Sequence, residues 1–202
     1  MDFLSFILLF PLLILALTVH EFAHAIVAYK LGDGTTKIQG RLTLNPLAHL
    51  DPIGTILIIV TSISGIGFGW GKPVMINPEN FRNPKRDMGL VAVAGPLSNI
   101  LMAVVSLLII LVSQNSFLTA VIVNFILLNS VLATFNLIPI FPLDGYNVIL
   151  SILPHNLAEQ FAQTAKYGMF FLIALVFSGA TKIVITPVLT LVSTIVQYVI
   201  KS

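Results

Sequence analysis

The chain has 202 residues, a formal net charge of +2 and a composition that is 57% hydrophobic but only 9% charged, with a mean hydropathy of +1.01. That balance excludes an ordinary soluble domain and points to one polytopic membrane domain. The basic residues sit in loops without interleaved aromatics, so nucleic acid is excluded as a partner. With no cysteine, any metal must be held by His and carboxylate, and neither a disulfide framework nor a thiolate nucleophile is available.

The first apolar run covers about 3–29 and is long enough to span a bilayer. It starts from Asp2, lacks a basic leading region and contains polar residues of its own, so it reads as a spanning helix rather than a signal peptide. Those polar residues are His20-Glu21-Phe22-Ala23-His24, an HExxH pattern. Two histidines four apart share one face of a helix and can reach one Zn²⁺, and the glutamate between them can take a proton from an attacking water. Three ionisable groups within five residues are costly in hydrocarbon unless they face a common partner.

Further apolar runs fall at about 53–68, 88–112, 117–141, 167–180 and 183–200. The second is short, preceded by Asp51-Pro52 and followed by Gly65, Gly67, Gly69 and Gly71. Lys30, Lys37 and Arg41 precede it and Lys72, Arg82, Lys85 and Arg86 follow it, so a spanning helix there would place a basic cluster on each side of the membrane. A segment at 52–70 that re-enters keeps both clusters cytoplasmic. The later runs then cross outward, inward, outward and inward, and nine of the ten Lys/Arg lie inside, with Lys182 alone outside. The expectation is an all-α polytopic membrane protein with about five transmembrane helices plus a re-entrant or membrane-associated segment, or six if that segment spans. Its N-terminus lies outside and its C-terminus inside. Residues 1–150 form the core, and 151–202 add a C-terminal pair of transmembrane helices to the same membrane domain. His20 is ten residues from Lys30, roughly 15 Å along a helix, which puts the motif inside the membrane, nearer the cytoplasmic face.

A catalytic zinc site takes three protein ligands. Among the remaining acidic residues Asp144 is the one embedded in apolar sequence, in Asn136-Leu137-Ile138-Pro139-Ile140-Phe141-Pro142-Leu143-Asp144-Gly145. Pro139 and Pro142 interrupt helical hydrogen bonding and Gly145 permits close backbone approach, so this segment can turn a carboxylate inward. The alternative is an Asp that caps the following helix. His49 and Asp51, beside the re-entrant segment, could hold a second metal, guard a cleft or simply cap the turn around Asp51-Pro52.

HEFAH in an early helix, Gly95-Pro96-Leu97-Ser98-Asn99 in a middle one and FNLIPIFPLDG in a later one together resemble the site-2 protease family of intramembrane zinc metalloproteases, peptidase family M50. The segments at 40–55, 68–74 and 80–87 resemble its compact prokaryotic branch without PDZ or CBS domains. The resemblance runs from about residue 15 to 150. It implies His20, His24 and Asp144 as zinc ligands, Glu21 as general base, and Asn136 as a polar group near the substrate carbonyl or its oxyanion. Asn136 could instead satisfy backbone groups freed by the prolines, and Gly95 and Ser98 read as close-packing positions. The implied activity is hydrolysis of peptide bonds within or near transmembrane segments of membrane proteins, from a place in the lipid bilayer of a prokaryotic cell. The competing reading is a polytopic metal-ion transporter, but its ionisable groups would have to continue across the membrane, and here they stop at one depth. Oligomeric state, substrate identity and trigger leave no mark on the sequence.

Overall fold

The computed structural model describes residues 3–63, 69–113 and 115–201. Helices account for nearly all of it: α1 (Phe3–Lys30), α2 (Thr35–Ile38), α3 (Pro52–Ile63), α4 (Pro84–Ile110), α5 (Ser116–Asn136), α6 (Asp144–Ile152), α7 (His155–Ala162), α8 (Ala165–Phe177) and α9 (Thr181–Lys201). Among the described residues four helices, α1, α4, α5 and α9, are long and apolar enough to cross a membrane, while α3 and α8 are shorter apolar helices. The all-α, membrane-embedded class expected from the sequence is met. Little inside the bundle distinguishes lipid from protein by hydrophobicity, so close approach relies on small residues. Ala16, Ala25 and Ala28 of α1 are fully buried, as are Val91 and Pro96 of α4, with Ala92 almost so.

The chain before α3 and the chain from Gly69 onward lie side by side. Leu50 and Gly71 form an antiparallel bridge, and the Lys72 N–H donates to the His49 carbonyl at 2.8 Å. The two ends of the segment are thus adjacent, as a re-entrant path requires. A 12-residue helix is about 18 Å long, short of a hydrocarbon core of about 30 Å. Gly54 and Gly69 make the return possible: a Cβ on Gly54 would lie 2.1 Å from the Trp70 carbonyl oxygen, and one on Gly69 would lie 2.4 Å from that of Gly54. Gly69 therefore seats the returning chain on α3. Gly65 and Gly67, which follow the same apolar run in the sequence, lie outside the described residues.

The C-terminal part departs from expectation. Of residues 167–180, α8 takes up Ala165–Phe177, a 13-residue apolar helix shorter than the four candidate spans. Leu172 of α8 packs with Ile138 and Leu143, and a Cβ on Gly168 would lie 2.5 Å from the Phe141 carbonyl oxygen, so α8 stays beside the segment that follows α5. From there α9 runs back along α5. Thr186, Leu189, Thr190 and Ser193 line one groove of about 390 Å³ with Asn124, Leu127, Leu128 and Val131, whereas Val196 belongs to a cluster with Ile110 and Ile126. This register makes α9 antiparallel to α5, and its C-terminus lies at the end of the bundle where α4 stops. Four candidate spans stand beside the shorter apolar α3 and α8, and the start of α1 and the end of α9 lie at the same end of the bundle. The charge rule cannot separate the two arrangements: with α9 reversed, nine of the ten Lys/Arg still share one side and the outlier is Lys201 instead of Lys182. Single cysteines in this cysteine-free chain provide the check. Replacements at Gln39, Asn83 and Lys182 are expected to label from one face of sealed vesicles, and those at Ser116 and Lys201 from the other. Labelling of Lys182 with Ser116 would restore the transmembrane pair.

Candidate metal centre

The HExxH turn lies deep in α1, where His20 and His24 are 4% and 7% exposed. One helical turn sets their imidazoles edge to face at 84°, with the two Nε2 atoms 3.1 Å apart. The third group arrives from the far end of α5. There the helix stops at Asn136, residues 137–143 turn, and α6 opens on Asp144. Pro139 and Pro142 prevent α5 from continuing. Gly145 lets the turn fold back tightly, since a Cβ there would lie 2.2 Å from the Leu137 carbonyl oxygen. Asp144 Oδ2 lies 3.1 Å from His20 Nε2 and Oδ1 3.2 Å from His24 Nε2. Asp144 is not a helix cap: the N-cap residue of α6 is Leu143, without a side-chain hydrogen bond.

The other ring nitrogens settle what faces the centre. His20 Nδ1 is 2.6 Å from Asn99 Oδ1, and His24 Nδ1 is 2.7 Å from the Val91 carbonyl oxygen. Both partners are acceptors, so both Nδ1 atoms carry the proton, and as neutral imidazoles, the form that ligates a metal, both rings turn an Nε2 lone pair inward. In that form three lone-pair-bearing groups face one another within 4.8 Å, and Asp144 Oδ2 is buried without a hydrogen bond. Such a cluster is repulsive unless a cation fills it. Tetrahedral zinc with bonds of about 2.1 Å separates its ligand atoms by about 3.4 Å, close to the 3.1 and 3.2 Å observed here. Two imidazoles and a carboxylate, each imidazole oriented by a second hydrogen bond, fit zinc with one coordination position left open.

Glu21 points to a neighbouring partner, its Oε2 accepting from the Val74 N–H at 3.2 Å. The chain around Val74 is itself anchored. Buried Arg41 donates to the Ala48 carbonyl and, at 3.3 Å, to that of Lys72. Further on, Asp33 accepts from the Asn77 N–H at 2.9 Å and from Asn80 Nδ2 at 2.7 Å. Burial works against the Asp33 carboxylate, but its hydrogen bonds with Thr35, Asn80 and Asn77 outweigh it and hold the carboxyl below its ordinary range.

Of the expected site residues, His20, His24 and Asp144 converge. The side-chain amide of Asn136 donates to the Leu132 carbonyl at 3.0 Å, within its own helix. His49 and Asp51 stand apart from the ligand group: His49 Nε2 bonds the Thr43 carbonyl at 2.8 Å, and Asp51 Oδ1 accepts from the Gly54 N–H at 2.7 Å, the turn-capping role considered for it. Asn99 escaped the sequence reading, although an amide in the middle of an apolar helix was a signal for it. The Val91 carbonyl and Val74 N–H left no sequence signal. Replacing Asp144 by Ala is expected to reduce bound zinc, measured by metal analysis of purified protein, from one equivalent to near zero; wild-type content would remove Asp144 from the ligand set.

No protein-family model matches the chain, and no solved structure does. Among curated proteins it is 40% identical over 188 residues to "Putative zinc metalloprotease YwhC" of Bacillus subtilis, an alignment that covers 88% of this chain and 83% of that protein. It is 28% identical over 187 residues to "Putative zinc metalloprotease Rip2" of Mycolicibacterium smegmatis, across 87% of this chain and 68% of the relative. Rip2 of Mycobacterium tuberculosis aligns at 27% identity over 168 residues, across 80% and 63% of the two chains. With that likeness over most of both chains, a His-His-Asp cluster that fits zinc and four helices able to cross a membrane, the protein belongs to the zinc metalloprotease family of YwhC and is an integral membrane metalloprotease.

Proposed function

We propose that the protein is an intramembrane protease of the site-2 type, peptidase family M50, that hydrolyses peptide bonds within or near transmembrane segments of other membrane proteins. The observation that carries this reading is the place of the ligands: His20 and His24 lie within the first candidate span, which runs from Phe6 to Lys30. The orientation that keeps nine of ten basic residues cytoplasmic puts the site nearer the cytoplasmic face of a prokaryotic cell membrane.

His20, His24 and Asp144 would hold the zinc. When bound there it supplies Lewis-acid polarisation of the scissile carbonyl and a water of lowered pKa. Glu21 does the proton work. The Val74 N–H holds its Oε2, which leaves Oε1 to take the proton of the attacking water and pass it to the departing amide nitrogen. Asn136 takes part by releasing the Leu132 carbonyl and donating to the developing negative charge on the substrate oxygen. A substrate helix has its carbonyls engaged in hydrogen bonds, so the cleaved stretch must unwind before attack.

The test is cleavage of a model transmembrane substrate by purified protein in lipid vesicles. Activity is expected to vanish on treatment with a zinc chelator and to return with added zinc. Cleavage of water-soluble peptides with no action on the membrane-embedded substrate would leave a metalloprotease that is not an intramembrane one.

A further inference from the structure

Behind His20 lies a chain of amides for which the proposed mechanism has no use. Asn99 and Asn129 are both fully buried. Asn99 Oδ1 holds His20 Nδ1 at 2.6 Å. Its Nδ2 donates to Asn129 Oδ1 at 2.9 Å and, more weakly, to the Ala16 carbonyl at 3.4 Å. Asn129 Nδ2 in turn donates to the Phe125 carbonyl at 2.8 Å. Each amide nitrogen faces a backbone carbonyl, which can only accept, and this settles the orientation of both amides without ambiguity. A flipped Asn99 would turn its oxygen on the Ala16 and Asn129 oxygens and its NH₂ on the His20 N–H. The relay therefore has one direction, and it ends by requiring a proton on His20 Nδ1.

We propose that Asn99 and Asn129 are positioning residues of the zinc site: Asn129 on α5 locks the Asn99 amide on α4, which locks the tautomer and ring plane of His20 on α1. The three spanning helices that build the centre are thereby joined by one buried hydrogen-bonded line. The helix that carries Asn129 is also the one whose broken end delivers Asp144, so α5 sets two of the three ligands at once. His24 has no such relay, because its Nδ1 rests on the Val91 carbonyl, a group with no rotamer to lose. The arrangement predicts unequal sensitivity of the two histidines to substitution behind them. Such outer partners typically control metal affinity by about 10–100-fold.

The experiment compares zinc affinity of the full chain in detergent, by competition with a chelating dye, with the visible spectrum of the Co²⁺-loaded protein. Asn99→Leu is expected to weaken zinc binding by about 10–100-fold and to shift the Co²⁺ bands as His20 loses its orientation. The two changes at Asn129 separate a relay from simple helix packing. Asn129→Leu keeps the branched shape and the number of side-chain heavy atoms and suits an apolar bundle, yet removes the acceptor for Asn99 and is expected to weaken zinc binding about tenfold. Asn129→Asp, protonated in its buried site on the oxygen that faces the Phe125 carbonyl, keeps that acceptor and is expected to stay within about threefold of the native affinity, with native Co²⁺ bands. A packing role reverses the order, since a buried carboxylate disturbs a bundle more than Leu does. The double variant Asn99→Leu, Asn129→Leu is expected to bind zinc no more weakly than Asn99→Leu alone. Native affinity and spectrum in Asn129→Leu, a poorer Asn129→Asp, or additive losses in the double variant would each overturn the relay. If Asn99→Leu does not fold, the Asn129 pair decides alone.

Discussion

Glu21→Gln is expected to lose peptide-bond hydrolysis by about 10²–10⁴-fold while one zinc per chain remains bound. The substitution preserves side-chain volume and an oxygen that can accept from the Val74 N–H, so the segment that holds Glu21 at 3.2 Å keeps its partner. What disappears is the carboxylate that takes and returns a proton. The ligand group does not include Glu21, which is why zinc content should be indifferent to the change. Metal analysis beside an initial-rate assay reads both halves of the expectation. Retained turnover would remove Glu21 from proton transfer, and loss of zinc together with turnover would move it into the ligand set.

Gly95→Ala is expected to reduce zinc affinity by about 100-fold without loss of helix. A Cβ at this position would lie 2.3 Å from His24 Nε2 and 2.6 Å from both Cε1 and Nε2 of His20, so it would occupy the ground on which the two imidazoles meet. Neither ring can step back. Each is tied through Nδ1 to α4 itself, one to Asn99 and the other to the Val91 carbonyl, and α1 is held close by buried alanines. Alanine is the better helix former by about 1 kcal/mol, so α4 gains local stability and any loss arises from the contact alone. Zinc titration and circular dichroism distinguish the two effects. Native zinc affinity in this variant would mean that α4 does not press on the histidines.

Gly95 also marks the boundary between what is local and what is not. Read along the chain, it is a small residue suited to close helix packing, and that much was legible. That the approaching group is the pair of imidazoles depends on which face of α4 meets α1, and hydropathy does not encode this: α4 is apolar almost all round. The re-entrant segment shows the reverse case. Its short length and the basic clusters on both flanks pointed to a path that returns, and the paired Leu50 and Gly71 bear it out. Asn136 and Asn99 form an instructive contrast. Sequence resemblance drew attention to the first, whose amide rests on Leu132, while the second, within the quoted Gly-Pro-Leu-Ser-Asn stretch, is the one that touches a ligand.

The sequence by itself determined the membrane class, the spans at α1, α4, α5 and α9, and the face shared by His20 and His24, because hydropathy and the helical repeat act over a few residues. It also singled out Asp144, since a carboxylate in an apolar, proline-broken segment has few uses other than a buried cation. Only the tertiary structure decided that α8 packs beside the segment after α5 and that α9 runs antiparallel to α5, because both arrangements leave nine of ten basic residues on one side and charge cannot choose between them. Only it decided, too, which groups stand behind the ligands. The Asn99 amide and the Val91 carbonyl reach the histidines across 79 and 67 residues of chain, and contacts of that range are set by how helices pack, for which no local pattern in the sequence is a substitute.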